Sequence, residues 1–382
     1  MKPTNDPYAD REQSQIKHII LKSYLADFAH KILSWADGLT YVDAFAGPWQ
    51  TTDNESFEDS SFGIALSKLR SAQNTWRSKG KEPSVECVFL EKDPDNYQQL
   101  LAFCQKQQDI HVEAINQPFE EAIPQIVQSI GSKKKGRWFP FILVDPKGWK
   151  GFSLSHLAPL IQIQPCEVLV NFMTGHIQRF IEDDRLSIQE GFRQLYDSEE
   201  YAYRLANLSG QEREDEMVFS YAERLGEVGG YPFVSTALVQ NPTKDRTHYH
   251  LVYATRHIKG IEVFKTAERK ALKQAPILRA RAKDRRNVAR TGQPSLFQPE
   301  ELPDNAHLER LRSHFERKAS ATLETMLNQS GELAYDTLYA QAMRFPIVQE
   351  PFLRKWLSEN ASALGDQKKS PKLGCGSRYR RM

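Results

Sequence analysis

Tyr41-Val42-Asp43-Ala44-Phe45-Ala46-Gly47-Pro48-Trp49 is the stretch on which the fold of this chain turns. Residues 39–45 form a short apolar strand, and Ala46-Gly47-Pro48 is a turn of small residues directly behind it. A strand that ends in a tight glycine turn lets backbone approach a nucleotide-like ligand at the carboxyl edge of a sheet. Asp43, Phe45 and Gly47 are therefore candidate ligand-holding residues. Many folds use such a turn, so its neighbours decide its meaning.

Upstream, residues 15–35 read as an amphipathic helix, with Ile16, Ile19, Ile20, Leu25, Phe28, Ile32 and Leu33 near a helical period. Downstream, strands are expected at 84–90, 111–115, 138–144 and 167–172. Helices are expected between them, starting near 63 and over 96–103, 119–130 and 154–163. Near-continuous apolar strands alternating with helices mean a parallel sheet covered on both faces. Right-handed crossovers then make it doubly wound. Residues 177–230 read as a polar helical insertion, and 233–238 with 248–255 as an antiparallel pair at one edge. A basic helix over 263–273 follows. Residues 287–305, rich in Pro, Gln and Asn, read as a linker. Helices at 308–328, 335–343 and 350–357 make a small helical or winged-helix region with a basic tail over 306–382, behind a main domain of residues 1–286.

Further candidate residues sit at strand ends. Glu91 closes the strand at 84–90, where an acid accepts both ribose hydroxyls of a bound nucleoside. Alone it reads as a surface Glu; its register about 40 residues after the glycine turn favours the ribose role. Asp145-Pro146 closes the strand at 138–144, followed by Lys147-Gly148-Trp149. Asp145 alone reads as a strand-end cap. Lys17-His18 lies on the first helix, as two surface residues or as groups facing the ligand. Asn171 and His176 follow the strand at 167–172; a satisfied strand-end Asn is the simpler reading, and a substrate contact the sharper one.

Together these blocks resemble the three-Cys-motif partner family, TcmP. The resemblance rests on Lys17-His18 with Tyr24-Leu25, on residues 41–48, on Asp145-Pro146 with Gly148-Trp149-Lys150-Gly151, on Val170-Asn171-Phe172-Met173 and on residues 249–257. It extends over residues 10–360, and that family in turn resembles class I methyltransferases. It also resembles ribosomal-RNA adenine-N6 methyltransferases in its Lys-His helix. The fold it implies is a Rossmann-like doubly wound sheet, and the cofactor S-adenosylmethionine without a metal. Asp43, Phe45, Gly47, Glu91 and Gln117 would hold that cofactor, Gln117 standing where related enzymes place an acid for the adenine amino group. Asp145 and Pro146 would align an amino nitrogen of a nucleic-acid base, since a carboxylate and a carbonyl accepting its two hydrogens aim its lone pair at the methyl. Trp149 would stack on the base, and Lys17 would help position it. Trp49 replaces the family's second glycine, and Lys147 replaces its usual aromatic. The alternative reading is a degenerate, sensing pocket that acts with a partner in a phage-defence or mobile-element system. The family name implies a small Cys-motif protein as partner.

Composition sets the outer bounds. The chain has 382 residues, 40% hydrophobic and 26% charged, which suits a globular protein. No apolar run approaches the roughly 20 residues that span a bilayer, and residues 1–10 contain no apolar signal core, so a cytoplasmic protein is expected. Four cysteines without a CxxC pair argue against zinc, and Cys87 and Cys166 read as buried thiols. Net charge is only +2, but Lys265 to Arg290 and the tail from Lys368 to Arg381 are basic, as nucleic-acid contacts or as solvated faces. Gln293-Pro294-Ser295-Leu296-Phe297 resembles short peptides that bind the bacterial sliding clamp, through an extended Leu-Phe anchor.

Overall fold

The apolar runs read above become the strands of one sheet. The computed structural model describes residues 8, 11–47, 57–133, 136–293, 301, 303–364, 372–374 and 376–381. Its first part runs α1 (Glu12–Leu33), β1 (Gly38–Asp43), α2 (Ser61–Arg77), β2 (Ser84–Leu90), α3 (Pro94–Gln105), β3 (His111–Ile115), α4 (Phe119–Ser132), β4 (Trp138–Val144), α5 (Leu154–Ile161) and β5 (Glu167–Phe172). Helices start where capping chemistry allows. Ser60 accepts the Gly63 amide ahead of α2, and Asp93 accepts the amides of Asp95 and Asn96 ahead of α3, with Pro94 in its first turn. After β5 come α6 (Thr174–Phe180), α7 (Leu186–Tyr196), α8 (Glu200–Leu205) and α9 (Gly210–Gly229), and then β6 (Phe233–Gln240) and β7 (Thr247–Thr255).

The seven strands lie in the order β3-β2-β1-β4-β5-β7-β6. β1 to β5 are parallel, and β7 runs antiparallel between β5 and β6. This is the Rossmann-like class I methyltransferase sheet expected above. The order reverses between β1 and β4, so a crevice opens at their carboxyl ends, where open α/β sheets bind ligands.

Successive strand residues point to opposite faces. Tyr41, Phe89 and Phe141 face the cluster under α1, α2 and α10 (Ile258–Thr291), while Val42, Val88 and Ile142 face the cluster under α4, α5, α7 and α9. Both sets are almost fully buried, and each such side chain contributes about 1.5–3 kcal/mol of burial. Cys87, Cys104 and Cys166 are buried free thiols, as expected for Cys87 and Cys166.

α10 departs from its reading. A basic helix over 263–273 was expected; one helix of 34 residues runs through Pro276 to Thr291, five residues into the stretch read as linker. The Pro276 carbonyl accepts the Asp304 amide, tying the returning chain to the point where proline interrupts the ladder. The basic character of Lys265 to Arg290 is also partly internal. Lys265 and Arg279 are each 3% exposed and bound to protein acceptors. The side chains of Arg269, Lys270, Lys273, Arg286 and Arg290 face solvent.

The C-terminal part comprises α11 (Ala306–Ser330), β8 (Glu332–Ala334), α12 (Tyr335–Met343), α13 (Glu350–Asn360), β9 (Ala361–Leu364) and β10 (Arg378–Arg381). β10 lies between β8 and β9 and is antiparallel to both. Helix, strand, two helices and two strands, with the last strand central, is a winged helix. Its apolar residues, including Leu338, Leu353, Trp356 and Tyr379, join the cluster that contains α1 and α10. Among the described residues no helix is long and apolar enough to cross a membrane.

Candidate active site

The carboxyl ends of β1, β2 and β4 surround a cavity of about 400 Å³, within the range of small-ligand sites. Ala44 and Phe45 come from the turn after β1, Glu91 and Lys92 from the end of β2, Gln117 from the turn after β3, and Phe119 from the start of α4. Asp145 to Lys150 come from the loop after β4, and His176 comes from α6. Six predicted site residues thus meet in one wall: Phe45, Glu91, Gln117, Asp145, Pro146 and Trp149.

The turn after β1 is pinned on both sides. The Ala44 amide donates to the Leu143 carbonyl and the Ala46 amide to the Leu90 carbonyl. Gly47 is buried at the end of this described turn; Pro48, Trp49 and Gln50 lie outside the described residues. Asp43 is fully buried beneath the turn rather than on the cavity wall. It accepts the Phe45 amide at 3.2 Å and the Ser61 hydroxyl at 2.6 Å. Burial, with the nearby Asp145 charge adding to it, pushes its carboxyl up to about 7. Its place makes Asp43 a brace joining the turn to α2.

Glu91 is 5% exposed and accepts the Asp93 amide at 2.7 Å, which fixes its carboxylate at the cavity. Burial raises its pKa. Asn116 donates to the Glu91 carbonyl and ties the turn after β3 to the end of β2. Lys147 occupies the opposite lip. Burial lowers its pKa, and the charges of Glu91 and Asp93 oppose that shift.

On the acceptor side, Lys17 of α1 forms an ion pair with Asp145 Oδ2, and Asn171 Nδ2 donates to Asp145 Oδ1 at 2.7 Å. Residues 128 and 26 positions away therefore hold the two carboxylate oxygens. Asn171 Oδ1 is buried and has no hydrogen-bond partner among the described residues, so this Asn is only half satisfied there, unlike its simpler reading. His18 points elsewhere: its Nδ1 pairs with the Tyr8 hydroxyl at 3.0 Å. Burial, and then the charges of Lys17 and Arg11, lower its pKa and keep the ring neutral.

Trp149 is placed differently from its predicted use. Its ring is 6% exposed and stacks on Phe192 of α7 at 4.4 Å. Gly191 leaves room for it, since a Cβ there would lie 2.4 Å from the indole. Trp149 is thus wall packing shared with the insertion, with one face already covered. No spacing in the sequence foretells this partner, 43 residues downstream. Sequence reading gave no role to Lys92 and Lys150, which lie on the rim. Burial lowers the His248 pKa at the acceptor end, and the charges of Arg246, Arg179 and Lys17 add to that shift.

No protein-family model matches the chain, and no curated protein matches it. Among solved structures, protein LPL1258 of Legionella pneumophila is similar at 11% identity over 69% of this chain and 92% of that chain, with a TM-score of 0.37. The cyclopropane synthase MmaA2 of Mycobacterium tuberculosis is similar at 11% identity over 70% and 76%, with a TM-score of 0.28. A loganic acid methyltransferase solved with SAH is similar at 8% identity over 76% and 92%, with a TM-score of 0.31. Likenesses this slight carry no residue roles across, and the fold rests on the strand order above.

Proposed function

We propose that the chain is an S-adenosylmethionine-dependent methyltransferase acting on an amino nitrogen of a nucleic-acid base. One observation carries the reading: an Asp-Pro pair at the end of β4 borders the cavity, and a cation already sits on its carboxylate. A group that binds the Lys17 ammonium is suited to an amino substrate. The donor set fits the cofactor, with Glu91 for the ribose hydroxyls, Phe45 for apolar contact and the Gln117 amide oxygen for the adenine amine. When bound, the cofactor supplies an electrophilic methyl group. Asp145 and the Pro146 carbonyl accept the hydrogens of the acceptor amine and direct its lone pair; the work of the protein is orientation. Lys17 leaves Asp145 as the amine arrives, and Asn171 keeps the carboxylate in place. The rim cations Lys92, Lys147 and Lys150 suit the phosphates that flank a base.

Trp149 favours a second reading. Its ring is committed to Phe192, which suits a pocket that binds the cofactor as a sensor and works with a partner. The resemblance to the three-Cys-motif partner family supplies a small Cys-motif protein for that role. The clamp-like peptide proposed at Gln293 to Phe297 falls largely outside the described residues.

Transfer of radiolabelled methyl from S-adenosylmethionine to cellular DNA and RNA separates the two readings. Asp145→Asn should lower transfer by at least about 100-fold, as expected when alignment of the reacting atoms is lost, with cofactor affinity kept. Transfer by Asp145→Asn at the wild-type rate would overturn the catalytic assignment. Cofactor binding without transfer to any nucleic acid would favour the sensing reading.

A further inference from the structure

We propose that the C-terminal winged helix is a docking unit for duplex DNA, with α13 entering the major groove and the outward side chains of β10 meeting phosphates. This goes beyond the methyl-transfer reading and stands without it.

Charge is the first ground. Residues 331–382 hold nine Lys and Arg against five Asp and Glu, a net charge of +4, while the whole chain carries +2. This unit is thus net basic, as is α10, where residues 258–291 hold eleven Lys and Arg against three Asp and Glu. Geometry is the second. Leu353, Trp356 and Leu357 face the core, while Pro351, Lys355, Ser358 and Glu359 form an exposed stripe along α13. On β10 the Tyr379 ring packs inward, so Arg378 and Arg380 project from the opposite face. α13 is the second helix of a helix-turn-helix, the position that reads base edges in such units.

Rigid mounting is the third ground. The turn between α12 and α13 is clamped to the methyltransferase-like sheet. Lys265 Nζ donates to the Phe345 carbonyl at 2.7 Å, and Glu268 accepts the Ile347 amide at 2.8 Å and Gln349 Nε2 at 3.0 Å. The hydroxyls of Ser235 and Thr236 on β6 donate to the carbonyls of Met343 and Arg344. A helix held in this way is presented at a fixed angle. The groove geometry favours DNA: a helix about 10–12 Å across fits a major groove about 12 Å wide, whereas the major groove of A-form RNA is too deep and narrow for it.

Fluorescence anisotropy of the full chain with a labelled mixed-sequence DNA duplex, over a range of salt, tests the proposal. Lys355→Glu and Arg380→Glu lie on exposed positions, and their folding is checked by thermal melting. Each should weaken duplex binding several-fold and lower the slope of log affinity against log salt by about 1, as loss of one phosphate contact does. Absence of duplex binding at low salt, folded variants that bind unchanged, or tighter binding of an RNA duplex of the same sequence would each overturn it.

Discussion

Replacing Lys265 with Met tests the clamp between the winged helix and the sheet. Lys265 and Glu268 are 3% and 1% exposed, and their charged atoms lie 2.7 Å apart. Burial pulls the Lys265 pKa down and pushes that of Glu268 up, and each partner's charge opposes the other's shift. Lys265 also satisfies the carbonyls of Thr236 and Phe345. Lys265→Met leaves the Glu268 carboxylate buried without its paired cation, with hydrogen bonds from the Ile347 amide and Gln349 and the weaker influence of the Arg312 charge. Removing one member of a buried pair costs about 3–5 kcal/mol. An unfolding entropy of about 2.1 cal/mol/K per residue, applied to 382 residues, gives roughly 0.8 kcal/mol/K, so the expected fall in Tm is about 4–6 °C. Glu268→Met should cost a similar amount. The double Lys265→Met, Glu268→Met variant should recover most of the loss, since apolar pairs of similar volume replace buried ion pairs at little cost. Scanning calorimetry of all four proteins reads this directly. A Lys265→Met protein melting within about 1 °C of wild type would refute the reasoning, as would a double variant whose losses simply add.

Two further outcomes follow from the site. Asp43 titrates near 7 in the native protein and near 3.9 when unfolded. The native state therefore holds the extra proton between those values, and its contribution to stability is full below the unfolded pKa and lost as pH rises to about 7. Asp43→Asn should thus gain in Tm relative to wild type as pH rises from about 4 to 7, with no further change above; a constant difference across that range would contradict it. Trp149→Ala removes an indole stacked on Phe192 and should cost about 3–5 kcal/mol, as core aromatic truncations do, read by chemical denaturation. A loss under about 1 kcal/mol would mean the ring is not part of the packed wall.

Much of this architecture is legible in the residues themselves. β2, β4 and β5 have the bounds read from their apolar runs, because a strand buried on both faces leaves little room for polar residues, and β3, half-exposed at the sheet edge, keeps its bounds as well. The gathering of Glu91, Gln117 and Asp145 in one cavity also follows, because each closes a parallel strand and such ends share an edge. What stays hidden depends on contacts between distant segments. The hold of Lys17 on Asp145 joins α1 to β4, and the stack of Trp149 on Phe192 joins a loop to α7; neither spacing is encoded locally. The full length of α10 is masked by Pro276 and its polar end. β8, β9 and β10 are three or four residues long, too short for a period to show, so only the helices of the winged helix are readable.

Calorimetric titration of the full chain with S-adenosylmethionine, beside Glu91→Ala, is the most direct test of the proposed methyltransferase site. Glu91 is buried at the cavity with its carboxylate fixed by the Asp93 amide, and hydrogen bonds to a charged acceptor contribute about 1.5–3 kcal/mol. Wild type should bind, and Glu91→Ala should bind roughly 10- to 150-fold more weakly. No binding by wild type, or equal binding by both proteins, would contradict the assignment of this cavity to the cofactor.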